Sequence, residues 1–328
     1  MVVRSPEQDA TPEFSALITC YFEAESIECF HENLSKALTG LGRSYEIILV
    51  NDGSTDATWH KIKELFDKDP KITVALDLFK NSGQQAAITA ALNEARGRAF
   101  ILLDSDLQLD PAELPMLVAE YDKGFDVVSG YRQNRQDSFW RILPSRIANM
   151  IMRRASQSRF RDFGCTFKIY NADLVRAFAF GPHRIFSNVD CIAAAQRQCE
   201  VPVTHYPRTF GESGWTFRKL WAYNMDNIVR LTQRPFQILA VLCVIASALF
   251  ALRILSGFIL PFKIMGEVST GLLLNALFLV FLALLAVLSM IGEFTIRSFA
   301  ALRRIPAYIV RERISRVDPA PQDTFGDA

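Results

Sequence analysis

Several features that would mark this chain as secreted, zinc-bound or nucleic-acid-binding are missing from it. Its six cysteines, Cys20, Cys29, Cys165, Cys191, Cys199 and Cys243, share no C-x-x-C spacing. Neither a zinc site nor a disulfide framework is supported, and they read as reduced thiols. Residues 1–9 contain no apolar core of signal-peptide length followed by a small-residue cleavage site, so the bulk of the protein is expected to start and stay in the cytosol. A formal net charge of +1 gives no global attraction to nucleic acid, and no nucleic-acid partner is expected. No G-x-G-x-x-G follows the first apolar run and no G-x-x-x-x-G-K-[ST] occurs. A dinucleotide site and a P-loop are therefore disfavoured.

Apolar residues are plentiful. At 328 residues the chain has room for one large or two modest domains. Half of it is hydrophobic, and a mean hydropathy of +0.14 is high for a soluble enzyme, which directs attention to a membrane part. The first 130 residues alternate short β-rich runs, at 14–20, 45–50, 72–76, 99–103 and 125–129, with helical stretches. That pattern predicts an α/β layer fold with a largely parallel sheet. Ligands of such sheets bind outside the carboxyl ends of the strands, and polar residues collect at those ends here. Tyr21 and Glu23 follow the first run, and Asn51-Asp52-Gly53-Ser54-Thr55-Asp56 follows the second. Ser54 or Asp56 can cap a helix beginning near Ala57. Asp52 is left without such a role and is placed to accept from the imide or ribose of a nucleotide.

The fourth run ends in Asp104-Ser105-Asp106-Leu107-Gln108. Side chains of an extended chain alternate with period two, so Asp104 and Asp106 are expected on one side. Two hard oxygen ligands at that spacing suit Mg²⁺ or Mn²⁺ carrying a diphosphate, since such ions keep few protein carboxylates and take their other ligands from water and phosphate. A D-x-D triplet alone is common. The buried strand before it and Gln108 after it raise it above chance.

Arginine and aromatic residues interleave from 131 to 235. Phe139, Trp140, Leu143, Ile147, Met150 and Ile151 can share one broad helical face, as can Phe217, Leu220, Trp221, Ile228 and Leu231 in a second segment. Basic amphipathic helices fit the plane of a membrane interface, although an ordinary core-facing helix shows the same pattern. Beyond them, residues 236–262 hold one charge, Arg253, and residues 271–292 hold none. Each run exceeds the roughly 20 apolar residues a bilayer span needs. Arg218, Lys219, Arg230 and Arg234 precede the first, and Arg297, Arg303, Arg304, Arg311 and Arg313 follow the second. The positive-inside rule then puts both ends in the cytosol. The expected organisation is a catalytic domain over 1–210 with an interfacial helix near 139–154, a juxtamembrane segment over 211–235, two transmembrane helices within 236–296, and a cytosolic tail over 297–328.

With these features in order, the chain resembles the family 2 glycosyltransferases of GT-A fold that act on polyprenyl phosphates, the dolichyl-phosphate mannose synthase and bactoprenol glucosyl transferase group. The resemblance runs nearly the whole length. It rests on residues 50–56, Lys80-Asn81-Ser82-Gly83-Gln84-Gln85, residues 104–108, residues 132–138 and Gly211-Glu212-Ser213. Residues 124–128, Asp162-Phe163-Gly164-Cys165 and residues 210–213 bring it nearest to the members that load 4-deoxy-4-formamido-L-arabinose onto undecaprenyl phosphate, and the same segments also look like generic bacterial glucosyl or hexosaminyl relatives. One departure stands out. The family's usual Pro-x-Tyr-Asn-Glu after the first strand is here Thr19-Cys20-Tyr21-Phe22-Glu23, which keeps the tyrosine and glutamate and loses the proline and asparagine.

The resemblance implies transfer of a sugar, with inversion, from a nucleotide-sugar, UDP-linked in the bacterial relatives, to a polyprenyl phosphate at the cytosolic face of a bacterial inner membrane. It implies Tyr21, Glu23, Asp52, Lys80, Gly83 and Asp104 at the nucleotide, and Asp106 and Gln108 on a Mg²⁺ or Mn²⁺ ion with Asp104 nearby. It implies Arg132, Arg146 and Arg208 on phosphates, Arg135 and Asp162 in orienting roles, and a homo-oligomer, a tetramer by resemblance. The acceptor is already an anion, so no strong general base is required, and two approaching phosphates account for several guanidinium groups. A processive polysaccharide synthase is the competing enzyme, but no Q-x-x-R-W motif occurs. A non-catalytic membrane scaffold of the same fold is the competing non-enzyme.

Overall fold

The computed structural model describes residues 11–133, 150, 152–154, 156, 158–207, 270–302 and 305–317. The chain divides into two units, Met1–Leu231 with Pro306–Ala328, and Thr232–Ile305.

The first unit is built on a mixed sheet of eight strands. Four of them, β1 (Phe14–Cys20), β2 (Tyr45–Asn51), β3 (Ile72–Leu78) and β4 (Ala99–Asp104), are nearly continuous apolar runs. Such runs are what a strand covered on both faces requires. Alternation then divides them. Leu17, Ile48 and Val50 enter one core with Ala86, Ala87, Val175 and Ile192. Ile18, Ile47 and Leu49 enter the other with Phe30, Leu34, Ile62 and Leu117. The helices over these faces include α1 (Ile27–Gly40), α2 (Thr58–Lys68), α3 (Gln84–Leu92) and α4 (Leu114–Tyr121). Asp56 precedes the N-cap residue Ala57 of α2, and its carboxylate accepts from the Thr58 amide at 3.1 Å and the Thr58 hydroxyl at 2.6 Å.

The remaining strands are β5 (Val127–Gln133), β6 (Lys168–Asn171), β7 (Gln198–Thr204) and β8 (Val310–Ser315), and the sheet order is β7-β5-β6-β4-β1-β2-β3-β8. The expectation of a largely parallel sheet holds for β1 through β4 and needs correction outside them. β6 runs antiparallel to both β4 and β5, and β8 antiparallel to β3. β8 lies in the stretch read as a tail and forms an edge of the catalytic sheet. The order reverses between β1, which leads outward to β2, and β4, which lies on its other side. Crevices at such switch points are where open α/β sheets bind ligands.

In the second unit the described residues form helix α5 (Thr270–Leu302), 33 residues long. Among the described residues, side chains included, no helix is long and apolar enough to cross a membrane. Along α5 the backbone is described throughout and the side chains in part, and Leu277, Phe278, Phe281, Leu284, Leu288 and Phe294 are exposed. The first predicted span, the 211–235 segment and most of the 139–154 segment lie outside the described residues.

Candidate active site

The carboxyl ends of β1 and β4 meet in register, with Thr19 opposite Asp104. Ser105 locks this junction by donating to the Thr19 carbonyl at 3.1 Å. Asp104 is the last residue of β4, so strand alternation does not carry on to Asp106. The chain instead bends, and Leu107 takes a left-handed φ of 57°. The Asp106 carboxylate accepts from the Gln108 amide at 3.2 Å across this bend. Asp104 and Asp106 are thus brought together by a local turn rather than by the strand pleat.

Asp104 is partly open at its surface, but its carboxyl is enclosed. One oxygen accepts from Gln84 Nε2 at 2.5 Å and the other from Thr166 Oγ1 at 2.8 Å. Burial, and then the like charge of Asp106, push its pKa up to about 7, against the pull of Thr166 and Arg132. Arg132 offsets only part of this effect, and a divalent cation would add positive charge beside Asp104. Among the described residues no group of three or more His, Cys, Asp or Glu side chains could hold a metal. The donor set that the geometry gathers is the carboxylate pair of Asp104 and Asp106. It fits a hard ion that draws its other ligands from phosphate and water.

The other loops interlock around this pair. Asp52 is buried and already engaged, accepting from the Ser82 amide at 2.7 Å and the Gly83 amide at 3.0 Å. Burial pushes its pKa up to about 6, and the two amides pull the other way. Gly53 lies directly on the Lys80–Asn81 backbone, where an added Cβ would sit 2.2 Å from the Lys80 carbonyl carbon. Gly83 has φ +90° at the start of α3, a conformation that favours glycine. Lys80 is exposed beside it. After β1, Tyr21 and Phe22 are both exposed and meet edge to face at 4.5 Å. The Glu23 amide donates to Thr58 Oγ1 at 3.0 Å, and its buried carboxylate accepts from Ser26 Oγ.

On the far side of Asp104, Arg132 at the end of β5 grips Asp162 with two parallel bonds. The loop carrying Asp162 is fixed in turn. Glu200 on β7 accepts from the Arg161 and Asp162 amides at 2.7 and 3.0 Å. The buried Lys168 ammonium donates to the carbonyls of Phe163 and Cys165, and burial lowers its pKa. Arg135, Arg146 and Arg208 lie outside the described residues.

Tyr21, Glu23, Asp52, Lys80, Gly83, Asp104, Asp106, Gln108, Arg132 and Asp162 thus all lie at or just beyond the strand ends. Gln84, Thr166, Lys168 and Glu200 join the site through contacts that the sequence does not assign. Gln84 falls within the 80–85 motif, whereas nothing in the local pattern marks the other three. A shallow cleft of about 640 Å³ lined by His31, Ser35, Lys36 and Asp69 lies elsewhere. His31, Ser35 and Asp69 bond to one another there, with His31 Nε2 at 2.8 Å from Asp69, and the strand-end loops hold the better case for chemistry.

Comparison with known proteins agrees with this geometry. A crystal structure of glucosyl-3-phosphoglycerate synthase from Mycobacterium tuberculosis with Mn²⁺, UDP and glucosyl-3-phosphoglycerate is 16% identical. The match covers 68% of this chain and 79% of that one, at a TM-score of 0.50. The same enzyme with Mn²⁺, UDP and phosphoglyceric acid matches at 16% identity over 68% and 78% of the two chains, also at 0.50. At this identity the likeness is one of fold. Residues 15–181 match the model for glycosyl transferase family 2, half of the chain on its own, and with the GT-A sheet just described the protein belongs to that family.

Proposed function

We propose that this chain transfers a single sugar, with inversion, from a nucleotide-sugar to a polyprenyl phosphate at a membrane surface. The observation that carries the reading is the enclosed Asp104 carboxyl with Asp106 beside it at the β1/β4 switch point, and the Arg132–Asp162 pair close enough for Arg132 to lower the Asp104 pKa. Opposite charges side by side suit a reaction between two phosphates. Asp106 and Gln108 would hold a divalent ion, with Asp104 shared between metal and nucleotide. When bound, that ion supplies Lewis-acid neutralisation of a departing diphosphate.

The remaining work falls to the protein's own groups. A phosphate acceptor arrives ionised, so the site needs positioning and charge stabilisation more than proton removal. Asp162 holds the Arg132 guanidinium in a fixed plane, ready for a phosphate oxygen. Arg146 and Arg208 are proposed beside it on the strength of the resemblance. Tyr21, Glu23, Asp52, Lys80 and Gly83 shape the nucleotide pocket. The Mn²⁺ and UDP of the mycobacterial enzyme make those the first ligands to try.

The lipid acceptor is supported by two features: the 33-residue helix Thr270–Leu302 with its exposed large apolar side chains, and the uncharged run over 271–292. A polyprenyl tail buried in a bilayer needs no soluble lipid pocket. We place the protein accordingly at a bacterial inner membrane as a multi-pass homo-oligomer. Its product is a polyprenyl-phosphate monosaccharide for envelope glycan or lipopolysaccharide modification, with 4-deoxy-4-formamido-L-arabinose the first sugar to test. Replacing Asp106 with Asn should abolish transfer to undecaprenyl phosphate in proteoliposomes. Unchanged turnover would sink the metal-site assignment.

A further inference from the structure

The strand that follows α5 in sequence reaches the nucleotide loops through one arginine. β8 pairs with β3 so that Glu312 faces Asp77 and Val310 faces Leu78. Arg311 is the extra residue between them, a β-bulge, and bulges re-aim the side chain they carry. Here the guanidinium turns back over the sheet edge. Nη1 lies 3.3 Å from Asp77 Oδ2, Nη2 donates to the Phe79 carbonyl at 2.5 Å, and the group stacks 5.4 Å from the Phe79 ring centre.

Both contacts lead inward. Asp77 is 3% exposed, and its other oxygen accepts from Asn51 Nδ2 at 2.7 Å. Asn51 Oδ1 in turn accepts from Ser54 Oγ at 2.6 Å, and Ser54 Oγ accepts from the Phe22 amide at 3.1 Å. The second contact holds Phe79, the residue before Lys80, whose amide also donates to the Ile309 carbonyl at 3.0 Å. One guanidinium therefore reaches the root of the 51–56 loop through Asp77 and bonds directly at the root of the 79–83 loop. These are the two segments that Asp52 and Gly53 clasp together.

We infer that Arg311 is a positioning residue for the nucleotide pocket, acting through Asp77 and Asn51 on one loop and through Phe79 on the other. This deepens the proposed function and rests on it for the pocket's occupant, but not for the loop order itself. Arg313, two residues along β8, provides the internal comparison. It pairs with Glu94 at 2.8 Å, a partner outside the relay, so its loss weakens the same strand through a different contact.

The test uses the full-length protein in detergent, with hydrogen exchange read on the free enzyme and UDP with Mn²⁺ as the binding probe. Arg311→Met should speed amide exchange across residues 52–56 and 80–83 by about tenfold, the scale of one charge-assisted hydrogen bond. Arg311→Lys should restore part of the protection, and Arg313→Met should leave those loops unchanged. UDP affinity should fall by a similar factor in Arg311→Met. If turnover is measured, KM for the donor should rise while kcat stays within about twofold. Loop exchange unchanged in Arg311→Met, or altered equally by Arg313→Met, overturns the inference. Loops loosened by Arg311→Met in a protein whose unmutated form binds no UDP would uphold the positioning role and instead contradict the proposed donor.

Discussion

Arg132 and Asp162 face each other as two planes, with Nε donating to Oδ2 at 2.7 Å and Nη2 to Oδ1 at 2.9 Å, both side chains largely out of solvent. A guanidinium has five N–H donors, and this fork uses two of them. The pair therefore fixes the orientation of the charge. Gly164 keeps the space beside it open, since a Cβ there would come within 3.2 Å of Arg132 Nη2.

Asp162→Asn should then cost turnover rather than folding. The hydrogen bonds to charge that it weakens contribute about 1.5–3 kcal/mol, so kcat is expected to fall by about ten- to a hundredfold. Arg132→Lys should do the same, because an ammonium keeps the charge and loses the fork. Steady-state kinetics alongside circular dichroism checks both variants, and full activity in either would show that the pair is merely structural.

Phe22 stands where the resembling family has asparagine, and its φ is +57°. Left-handed backbone costs an ordinary L-residue about 1–2 kcal/mol, and asparagine visits it routinely. Against this stands the edge-to-face contact with Tyr21. Such pairs contribute about 0.5–1.5 kcal/mol when well packed, and both of these rings are roughly half exposed. The backbone effect should win. Phe22→Asn is expected to raise unfolding stability by about 0.5 kcal/mol, measured by denaturant titration. A loss of stability would mean that the aromatic contact outweighs the strain.

Asp52 gives stability a pH dependence. Its pKa rises from 3.8 to about 6 on folding, so between those values the folded chain holds a proton that the unfolded chain has released. Its contribution is therefore complete below pH 3.8 and is lost as pH rises through 6, by at most about 3 kcal/mol. Asp104 is displaced in the same direction, so the useful measurement is the difference between the unmutated protein and Asp52→Asn across pH 4 to 6. That difference should slope. A flat difference would contradict the displaced titration. The same variant should loosen residues 82–83, since an amide offers one acceptor oxygen where two backbone amides now find one each.

Much of the sheet was legible because burial on both faces leaves an unbroken apolar run. Residues 14–20 were read with the bounds that β1 takes, and the runs for β2, β3 and β4 fell short by one or two residues at their polar ends. β6, β7 and β8 were not legible. β6 contains the buried Lys168, and β8 reads Val-Arg-Glu-Arg-Ile-Ser, a charged stretch that becomes a strand only against the edge of β3. In the site, Asp104 and Asp106 announced themselves at the end of a buried run. Gln84 and Thr166 did not, because they reach Asp104 across 20 and 62 residues of sequence, and no local pattern encodes such a contact.

Transfer of one sugar onto a lipid phosphate can be followed in a single assay. The most direct measurement supplies the full-length protein with a panel of UDP-sugars, undecaprenyl phosphate in liposomes and Mn²⁺, offers 3-phosphoglycerate as the competing soluble acceptor, and analyses the products by mass spectrometry. The expected product is undecaprenyl phosphate heavier by a single sugar with one donor of the panel. A lipid extended by several sugars, a sugar found only on 3-phosphoglycerate, or no product from any donor would contradict the proposed function.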